Sequence, residues 1–367
     1  MWYVFHIDII KNQRHMKNGI KNILVTGGAG YIGSHTVEAL SEKGYKSIIV
    51  DDFRNSDKSV MEGLNILCKI KPLYFEIDCT DEKLMRFIFK YYKIDGVIHF
   101  AAYKAVGESI DKPDLYFHNN IQSLTVVTKL MNEFGISNLV FSSSCTVYGQ
   151  PDSVEVSEDQ EHKPASSPYG YTKQVGEQYL DFLSKSSQNI VKSTLLRYFN
   201  PIGAHPSGLI GELPNGVPNN LVPYICQSAI GLIGPLTVFG NDYDTPDGTC
   251  VRDFIHVVDL ANAHIAALEK QFSSEASISI YNVGTGKGTS VLELINTFEM
   301  VTGETLLYNV GPRREGDIVK IYANTQKVNK ELAWKSEYTV ADALLHAWKW
   351  QKQLVYKRSI QYKIDSL

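Results

Sequence analysis

The stretch Asn22-Ile-Leu-Val-Thr-Gly-Gly-Ala-Gly-Tyr-Ile-Gly33 runs a short apolar segment directly into a glycine turn and then into a helical pattern. Gly27, Gly30 and Gly33 permit a tight turn, close approach of the backbone to a pyrophosphate, and close packing of helix on sheet. The helix that follows points free N–H groups and the positive end of its dipole at those phosphates. A glycine-rich turn alone is as often structural as functional. The strand before it and the helix after it turn the reading toward a dinucleotide site, with Tyr31 and Ile32 inside the turn as further candidate contacts.

Working outward, short apolar runs alternate with longer helical patterns from Lys21 to about Arg197. Asn22–Val25, Ser47–Asp51, Leu73–Ile77, Gly96–Phe100, Leu139–Ser142 and Thr194–Arg197 read as strands. The runs are continuous rather than alternating in polarity, as strands covered on both faces should be. The rhythm predicts an α/β fold: a Rossmann-type doubly wound parallel sheet with helices on both faces. After about Tyr198 come Gly-, Pro- and Asn-rich stretches (200–218 and 240–248), separated by helical segments over Leu221–Leu232 and Val257–Glu269. Long loops in a compact protein usually carry function. The expected division is an extension over 1–18, a nucleotide-binding domain over 19–198, and a smaller α/β substrate-binding lobe drawn mainly from 199–367. Some elements of that last third are expected to return to the first domain.

The composition narrows the class of partner. The 367 residues are 44% hydrophobic and 21% charged, with a formal charge of −4 and no basic stripe, which argues against nucleic acid and anionic membranes. Five cysteines at wide spacings, without a CxxC pair, fit neither a disulfide framework nor a structural zinc site, so no metal and a reduced, cytoplasmic setting are expected. The first eighteen residues start apolar but are broken by His6 and Asp8 and lack a small-residue cleavage site; they are too short to span a bilayer.

Asp51 closes the second strand, where a carboxylate can accept hydrogen bonds from adenosine ribose hydroxyls and repel the extra phosphate of NADP. NAD is the expected cofactor, with Asn55 a further contact. Arg54 keeps the alternative open, because an arginine near this point is how NADP is accommodated.

The chemistry sits further on. Ser142-Ser143-Ser144 ends the fifth strand, and Tyr169-Gly-Tyr-Thr-Lys173 places a phenol and an ammonium on one helical face. A free tyrosine titrates near 10, so a base near neutrality needs roughly 4 kcal/mol. One cation about 4 Å away at an effective dielectric near 20 supplies a similar amount, so Lys173 and a positively charged nicotinamide suffice. Ser144 can hydrogen-bond the same substrate hydroxyl. The bland alternative for any lone YxxxK is a solvated helix pair; the serine strand end and the upstream dinucleotide turn weigh against it.

With these motifs in view, the chain resembles the extended short-chain dehydrogenase/reductase family, and within it the UDP-hexose 4-epimerase branch, from Asn22 to about Lys352. The resemblance is carried by residues 25–36, Lys104-Ala-Val-Gly-Glu-Ser109, the serine strand end, the Tyr169/Lys173 pair, Arg197-Tyr-Phe-Asn-Pro201, and the runs 238–249 and 251–260. It implies that Asp78, Cys79, Phe100, Lys104 and Tyr198 line the cofactor site. It also implies that Asn200, Asn220, Leu221, Thr237, Val238, Phe239, Arg252, Arg314 and Asp317, with Ser144 and Tyr169, bind a UDP-sugar. Arginines suit a diphosphate because their forked donors match its oxygens, and an aromatic such as Phe239 suits uracil. On its own, Arg252 reads equally well as a surface ion pair.

The implied reaction interconverts UDP-galactose and UDP-glucose, with Tyr169 taking the C4 proton while C4 gives hydride to NAD. Ile321 falls on the implied hexose wall. Its size, between cysteine and tyrosine, leaves room for some turnover of UDP-GlcNAc and UDP-GalNAc. The resemblance also implies a homodimer through helices over Pro113–Phe134 and Pro168–Lys185. The sequence departs from the family pattern at Ala102-Tyr103, Ser123, Cys145 and Tyr171-Thr172. Two alternatives stand beside this reading: a nucleotide-sugar 4,6-dehydratase, disfavoured because Cys145 and Thr146 occupy the positions of its acid pair, and a catalytically silent NAD-binding regulator.

Overall fold

Strand Asn22–Thr26 and helix Tyr31–Glu42 flank the glycine turn, and the neighbouring strands assemble around them. The computed structural model describes residues 19–314 and 316–365; the extension over 1–18 lies outside them. Seven strands form one sheet in the order Leu73–Glu76, Lys46–Asp51, Asn22–Thr26, Gly96–His99, Asn138–Ser144, Lys192–Tyr198 and Ile278–Val283. Every pairing is parallel. The chain order reverses between Asn22–Thr26 and Gly96–His99, so the crevice outside the carboxyl ends of these two strands is the switch point where such sheets bind ligands.

Burial follows the pleat. Ile23, Val25, Ile49, Ile98, Val140 and Leu196 pack on one face against Val37, Leu40, Leu260 and Ile265 of helices Tyr31–Glu42 and Val257–Ser273. Leu24, Ile48, Val50, Val97, Leu139 and Phe141 pack on the other against Met85, Leu124, Val127, Leu130 and Leu180. Both strand faces are therefore core, as the continuous apolar runs require. Leu73–Glu76 departs from this expectation: its burial alternates and Tyr74 is exposed, because it is the edge strand.

Several bounds also move. The serine strand continues to Ser144 rather than stopping at Ser142, because parallel pairing with Lys192–Tyr198 carries it to a Ser144–Tyr198 match. Helix Leu221–Ala229 ends three residues before the expected Leu232, with backbone bonds to Ile230 closing its last turn. Helix Val257–Ser273 and strand Ile278–Val283, late in the chain, lie on and in the main sheet.

A second core holds Ile202, Val222, Ile225, Leu236, Leu294, Phe298, Leu344 and Trp348. Around it lie the parallel pair Leu236–Phe239 with Tyr308–Gly311, and a four-stranded sheet of Thr289–Ser290, Val251–Arg252, Lys320–Ala323 and Glu155–Val156. Among the described residues, no helix is long and apolar enough to cross a membrane.

Candidate active site

The glycine turn is shaped by contacts that no side chain could share. A Cβ on Gly33 would stand 2.2 Å from the Gly27 carbonyl oxygen, and one on Gly27, whose φ is +69°, would stand 2.8 Å from the Ala101 nitrogen. Gly30 caps helix Tyr31–Glu42 without any side-chain hydrogen bond, leaving the first-turn N–H groups facing the turn. Such a cradle, with an open helix N-terminus, fits a pyrophosphate.

Asp51 is buried and holds the glycine turn itself. Its carboxylate accepts the Ala29 N–H at 3.0 Å, the Phe53 N–H at 2.9 Å and the Ser56 hydroxyl at 2.9 Å. Burial raises its pKa, and these bonds oppose that shift. Arg54, which left NADP open, is taken up by acids: its Nε lies 2.5 Å from Asp52, it pairs with Asp78, and it donates to the Tyr103 hydroxyl at 3.3 Å. Burial tends to raise the Asp78 pKa, but bonds from Thr80 and the Arg54 charge outweigh it and lower the net value. With its guanidinium so engaged, Arg54 is not a free phosphate receptor.

Cys79 is buried beside Asp78, Asn55 is exposed in the loop after Lys46–Asp51, and the Phe100 ring packs against His264 at 4.7 Å, tilted by 51°. Tyr31 donates to the Gly203 carbonyl at 2.7 Å, and Ile32 packs on the first core. Lys104 reaches across to Glu212 at 3.2 Å and lies over the Tyr31 ring. Tyr198 is buried, and its hydroxyl meets His264, whose Nδ1 is held by the Leu260 carbonyl.

Tyr169 and Lys173 come from the first turns of helix Pro168–Ser184. Pro168 presets its start, and the Ser167 hydroxyl accepts the Gly170 N–H at 3.1 Å. Ser144, at the tip of the adjacent strand, acts on the Tyr169 phenol by favouring its ionised form, so two of the three residues expected to act together are neighbours. The expected direct approach of the ammonium is modified. Lys173 is buried, lies 5.9 Å from the Tyr169 ring centroid, and donates to the Ser142 carbonyl at 2.6 Å. Burial pushes the phenol up to about 12, with Ser144 opposing. Burial likewise brings Lys173 down to about 8, with Glu177 opposing. The protein's own groups therefore bring the lysine well below free lysine while keeping the phenol protonated.

Arg252 lies 3.5 Å from Asp317 and also donates to the Ile318 carbonyl. Arg314 is exposed, 4.0 Å from Asp317, with its guanidinium 4.6 Å from the centre of the half-open Phe239 ring. Thr237 and Val238 precede Phe239 on its strand, Asn220 caps helix Leu221–Ala229 and donates to Glu212 at 2.6 Å, and Asn200 pairs with Phe254. Ile321 is buried against Val147, Tyr148, Phe199 and Ala323, with Cys145 and Ile318 at the margin of the same cluster. Among the described residues, no group of three or more His, Cys, Asp or Glu side chains is arranged to hold a metal.

Sequence reasoning passed over several residues that organise this site. Asp253 is fully buried and accepts from the amides of Thr285, Gly286 and Ala323 and the Thr285 hydroxyl, tying strand Lys320–Ala323 to the end of the main-sheet strand Ile278–Val283. Glu177 and Arg197 form a buried pair behind Lys173. Glu177 could have been found, since it continues the Tyr169/Lys173 helical spacing by one more turn.

Comparison with known proteins agrees with this geometry. The NAD dependent epimerase/dehydratase family model matches residues 23–284. The chain is 45% identical over 331 residues to a UDP-glucose 4-epimerase of Yersinia enterocolitica, covering 90% of this chain and 97% of that one. It is 46% identical over 339 residues to UDP-glucose 4-epimerase 2 of Arabidopsis thaliana, covering 92% and 96%. A solved UDP-glucose 4-epimerase of Stenotrophomonas maltophila, with bound NAD and formylated UDP-arabinopyranose, superposes with a TM-score of 0.89 at 44% identity, covering 92% of this chain and 99% of that one. One from Bifidobacterium longum, in complex with NAD+ and UDP, gives 0.86 at 43% identity, covering 91% and 98%. The family's sequence pattern, the reversal point of the sheet and the glycine cradle coincide in one crevice: the chain belongs to the NAD dependent epimerase/dehydratase family.

Proposed function

We propose that this chain inverts the C4 hydroxyl of a UDP-hexose, interconverting UDP-galactose and UDP-glucose. The observation that carries the reading is the buried Tyr169 phenol, one helical turn from the buried Lys173 ammonium and beside Ser144 at its strand end.

The cradle fits NAD: Gly27, Gly30 and Gly33 admit a pyrophosphate where a Cβ would not fit, and Asp51 disfavours a further phosphate. Bound NAD supplies the hydride acceptor and donor for C4, and a positive ring charge. Tyr169 then removes and returns the C4 hydroxyl proton, with Ser144 orienting that hydroxyl and Lys173 favouring the phenolate. Arg252 and Arg314 hold the diphosphate, and Thr237, Val238 and Phe239 the uracil side, while Asn200, Asn220, Leu221 and Asp317 shape the rest of the site. A firm nucleotide anchor beside a loosely held hexose is what inversion needs, because the oxidised sugar must present its other face before hydride returns. Residues 19–198 act in this reading as the cofactor domain and most of 199–367 as the substrate lobe.

The dehydratase alternative finds no support at the acid pair. Burial pushes the Cys145 thiol up to about 12, and Thr146 has no titratable group near neutrality. A silent regulator is excluded if the purified protein converts UDP-galactose to UDP-glucose. Y169F is expected to lower kcat by at least about a hundredfold, the usual scale of lost acid–base catalysis; full-speed turnover by that variant would overturn the assignment.

Three finer statements belong to the same reading. Ile321 leaves the hexose wall open enough for some UDP-GalNAc and UDP-GlcNAc turnover; a solved Campylobacter jejuni UDP-Glc/GlcNAc 4-epimerase is 33% identical to this chain, covering 91% of it and 99% of that chain at a TM-score of 0.78. Helices Pro113–Glu133 and Pro168–Ser184 expose Phe117, Tyr171 and Phe182 and pair two copies of the chain. The cysteines Cys68, Cys79, Cys145, Cys226 and Cys250 are all free thiols, which supports a cytoplasmic setting.

A further inference from the structure

Behind Lys173 lies a buried polar network that the proposed reaction does not use. Glu177 stands one turn beyond Lys173 on helix Pro168–Ser184, and only 5% of it is exposed. Its Oε1 accepts from the Ser143 hydroxyl and from Arg197 Nε at 3.0 Å, and its Oε2 accepts from Arg197 Nη2 at 2.6 Å. Arg197, 2% exposed, is held in turn by the Tyr148 hydroxyl at 3.0 Å, the Glu158 carbonyl at 3.0 Å and His162 Nε2 at 2.8 Å. A buried ion pair repays its desolvation only with such geometry and with its remaining donors satisfied.

The placement has two consequences. First, the carboxylate joins three elements that must keep register for the site to exist: Ser143 precedes Ser144 on its strand, Glu177 shares a helix with Tyr169 and Lys173, and Arg197 precedes Tyr198. Second, it sets a negative charge on the Lys173 side of the helix. The groups facing Lys173 are Tyr169 and Glu177 from its own helix, the Ser142 carbonyl and Phe141 ring from strand Asn138–Ser144, and His99 from strand Gly96–His99. Those facing Glu177 are Ser143, Arg197, Lys173 and, at 3.8 Å, His162. His99 is a neutral ring bonded to the Thr26 hydroxyl at 2.7 Å, and burial brings it down to about 3, so it adds no charge.

We propose that Glu177 is a positioning residue for the reaction: clamped by Arg197 and Ser143, it keeps the Lys173 ammonium charged and in place beside the Tyr169 phenol. This rests on the epimerase reading above. A purely structural carboxylate would alter stability and leave the pH dependence of turnover alone. A positioning carboxylate moves the point at which Lys173 loses its proton.

The test is the pH profile of kcat for UDP-galactose, measured on NAD-loaded full-length protein. Wild-type turnover is established first; no turnover at any pH would sink the epimerase reading rather than the role of Glu177. Burial lowers Lys173 to about 8 and Glu177 opposes that lowering, so neutralising the acid in E177Q lets Lys173 fall further. The alkaline limb is expected to move to lower pH by on the order of one unit, the usual effect of losing one neighbouring opposite charge, with KM little changed. A folded E177Q with the wild-type limb overturns the proposal. If E177Q fails to fold because Arg197 is left unpaired, E177D decides: it keeps the charge and withdraws it by one methylene. E177D is expected to move the alkaline limb in the same direction by less than the loss of the charge would, with KM little changed. A wild-type limb in folded E177D overturns the proposal.

Discussion

The Asp51 carboxylate accepts the Ala29 amide proton at 3.0 Å, so an acid at the end of one strand holds the tip of the glycine turn that leaves its neighbour. One group thus shapes the phosphate cradle and, in the reading proposed above, also selects the cofactor. D51N keeps the size and one acceptor but loses the charge that repels a 2′-phosphate. It is expected to weaken NAD binding at least about tenfold and to narrow the preference over NADP, since charged hydrogen bonds contribute roughly 1.5–3 kcal/mol. Titration with both cofactors checks this; an undiminished NAD preference in D51N would place selectivity elsewhere.

The Gly33 position offers a sharper steric case. Its missing Cβ would lie 2.2 Å from the Gly27 carbonyl oxygen, a backbone atom that cannot rotate away. G33A is expected to destabilise the fold by about 3 kcal/mol or more and to abolish retention of NAD through purification. Gly107, where an added Cβ would meet nothing within 4 Å, is the control: G107A should melt at or slightly above wild type. Equal melting of G33A and G107A would show that the turn relaxes.

Much of this architecture is legible before any coordinates are seen, for physical reasons. Strands buried on both faces must be apolar at every position, and a phosphate turn must be glycine where backbone meets backbone, so Asn22–Gly33 announces itself. What stays hidden is long-range. Asp253 sits inside the 251–260 run that carries the resemblance, but nothing in that run tells that Thr285, Gly286 and Ala323 converge on it. The departures from the family pattern also make sense only in space. Asn120 accepts the Tyr103 N–H at 2.8 Å and donates to the Tyr103 carbonyl and the Thr172 hydroxyl, both at 3.1 Å, while Ser123 bonds the Ala101 carbonyl at 3.4 Å. Substitutions scattered over about seventy positions of sequence are neighbours around one amide, and no single one of them predicts the others.

Acid sensitivity follows from histidines buried without charge. Burial brings His35, His99 and His256 to about 3 and His264 to about 4, against an ordinary value near 6.5. Each folded-state pKa is depressed, so below about 6.5 the unfolded chain binds protons that the folded chain does not, and stability falls as pH falls. Each contributes a loss on the order of 1–2 kcal/mol by pH 5, and four together approach the whole stability of an ordinary domain. Burial acts oppositely on two acids, raising Glu38 to about 7 and Asp259 to about 6, so the protons they take up in the folded chain offset part of that loss. Melting temperatures from pH 8 to pH 5 are expected to fall below about 6, where the four histidines outweigh the two acids. H256N, which removes the ring stacked on Tyr338 and bonded to His346 at 3.0 Å, should lower stability at pH 8 yet flatten the slope. A slope unchanged in H256N would assign the acid loss to other groups.

In the proposed reading, substrate breadth turns on Ile321. Its side chain is 2% exposed and wedged among Val147, Tyr148 and Phe199, with Cys145 of the serine strand end at the cluster's edge. A core this tight has no inward space for an aromatic ring, so in I321Y the added bulk must turn toward the hexose side or strain the cluster. In the first case, kcat/KM for UDP-GalNAc is expected to fall at least about tenfold relative to UDP-galactose, the scale of a lost methylene-sized fit in a pocket. In the second, both substrates fall together and the melting temperature drops. I321V, which removes one methyl group, should instead leave turnover of UDP-galactose near wild type while favouring the acetylated sugar. Side-by-side rates on the two substrates decide; a ratio that neither variant moves would show that this wall does not read the acetamido group.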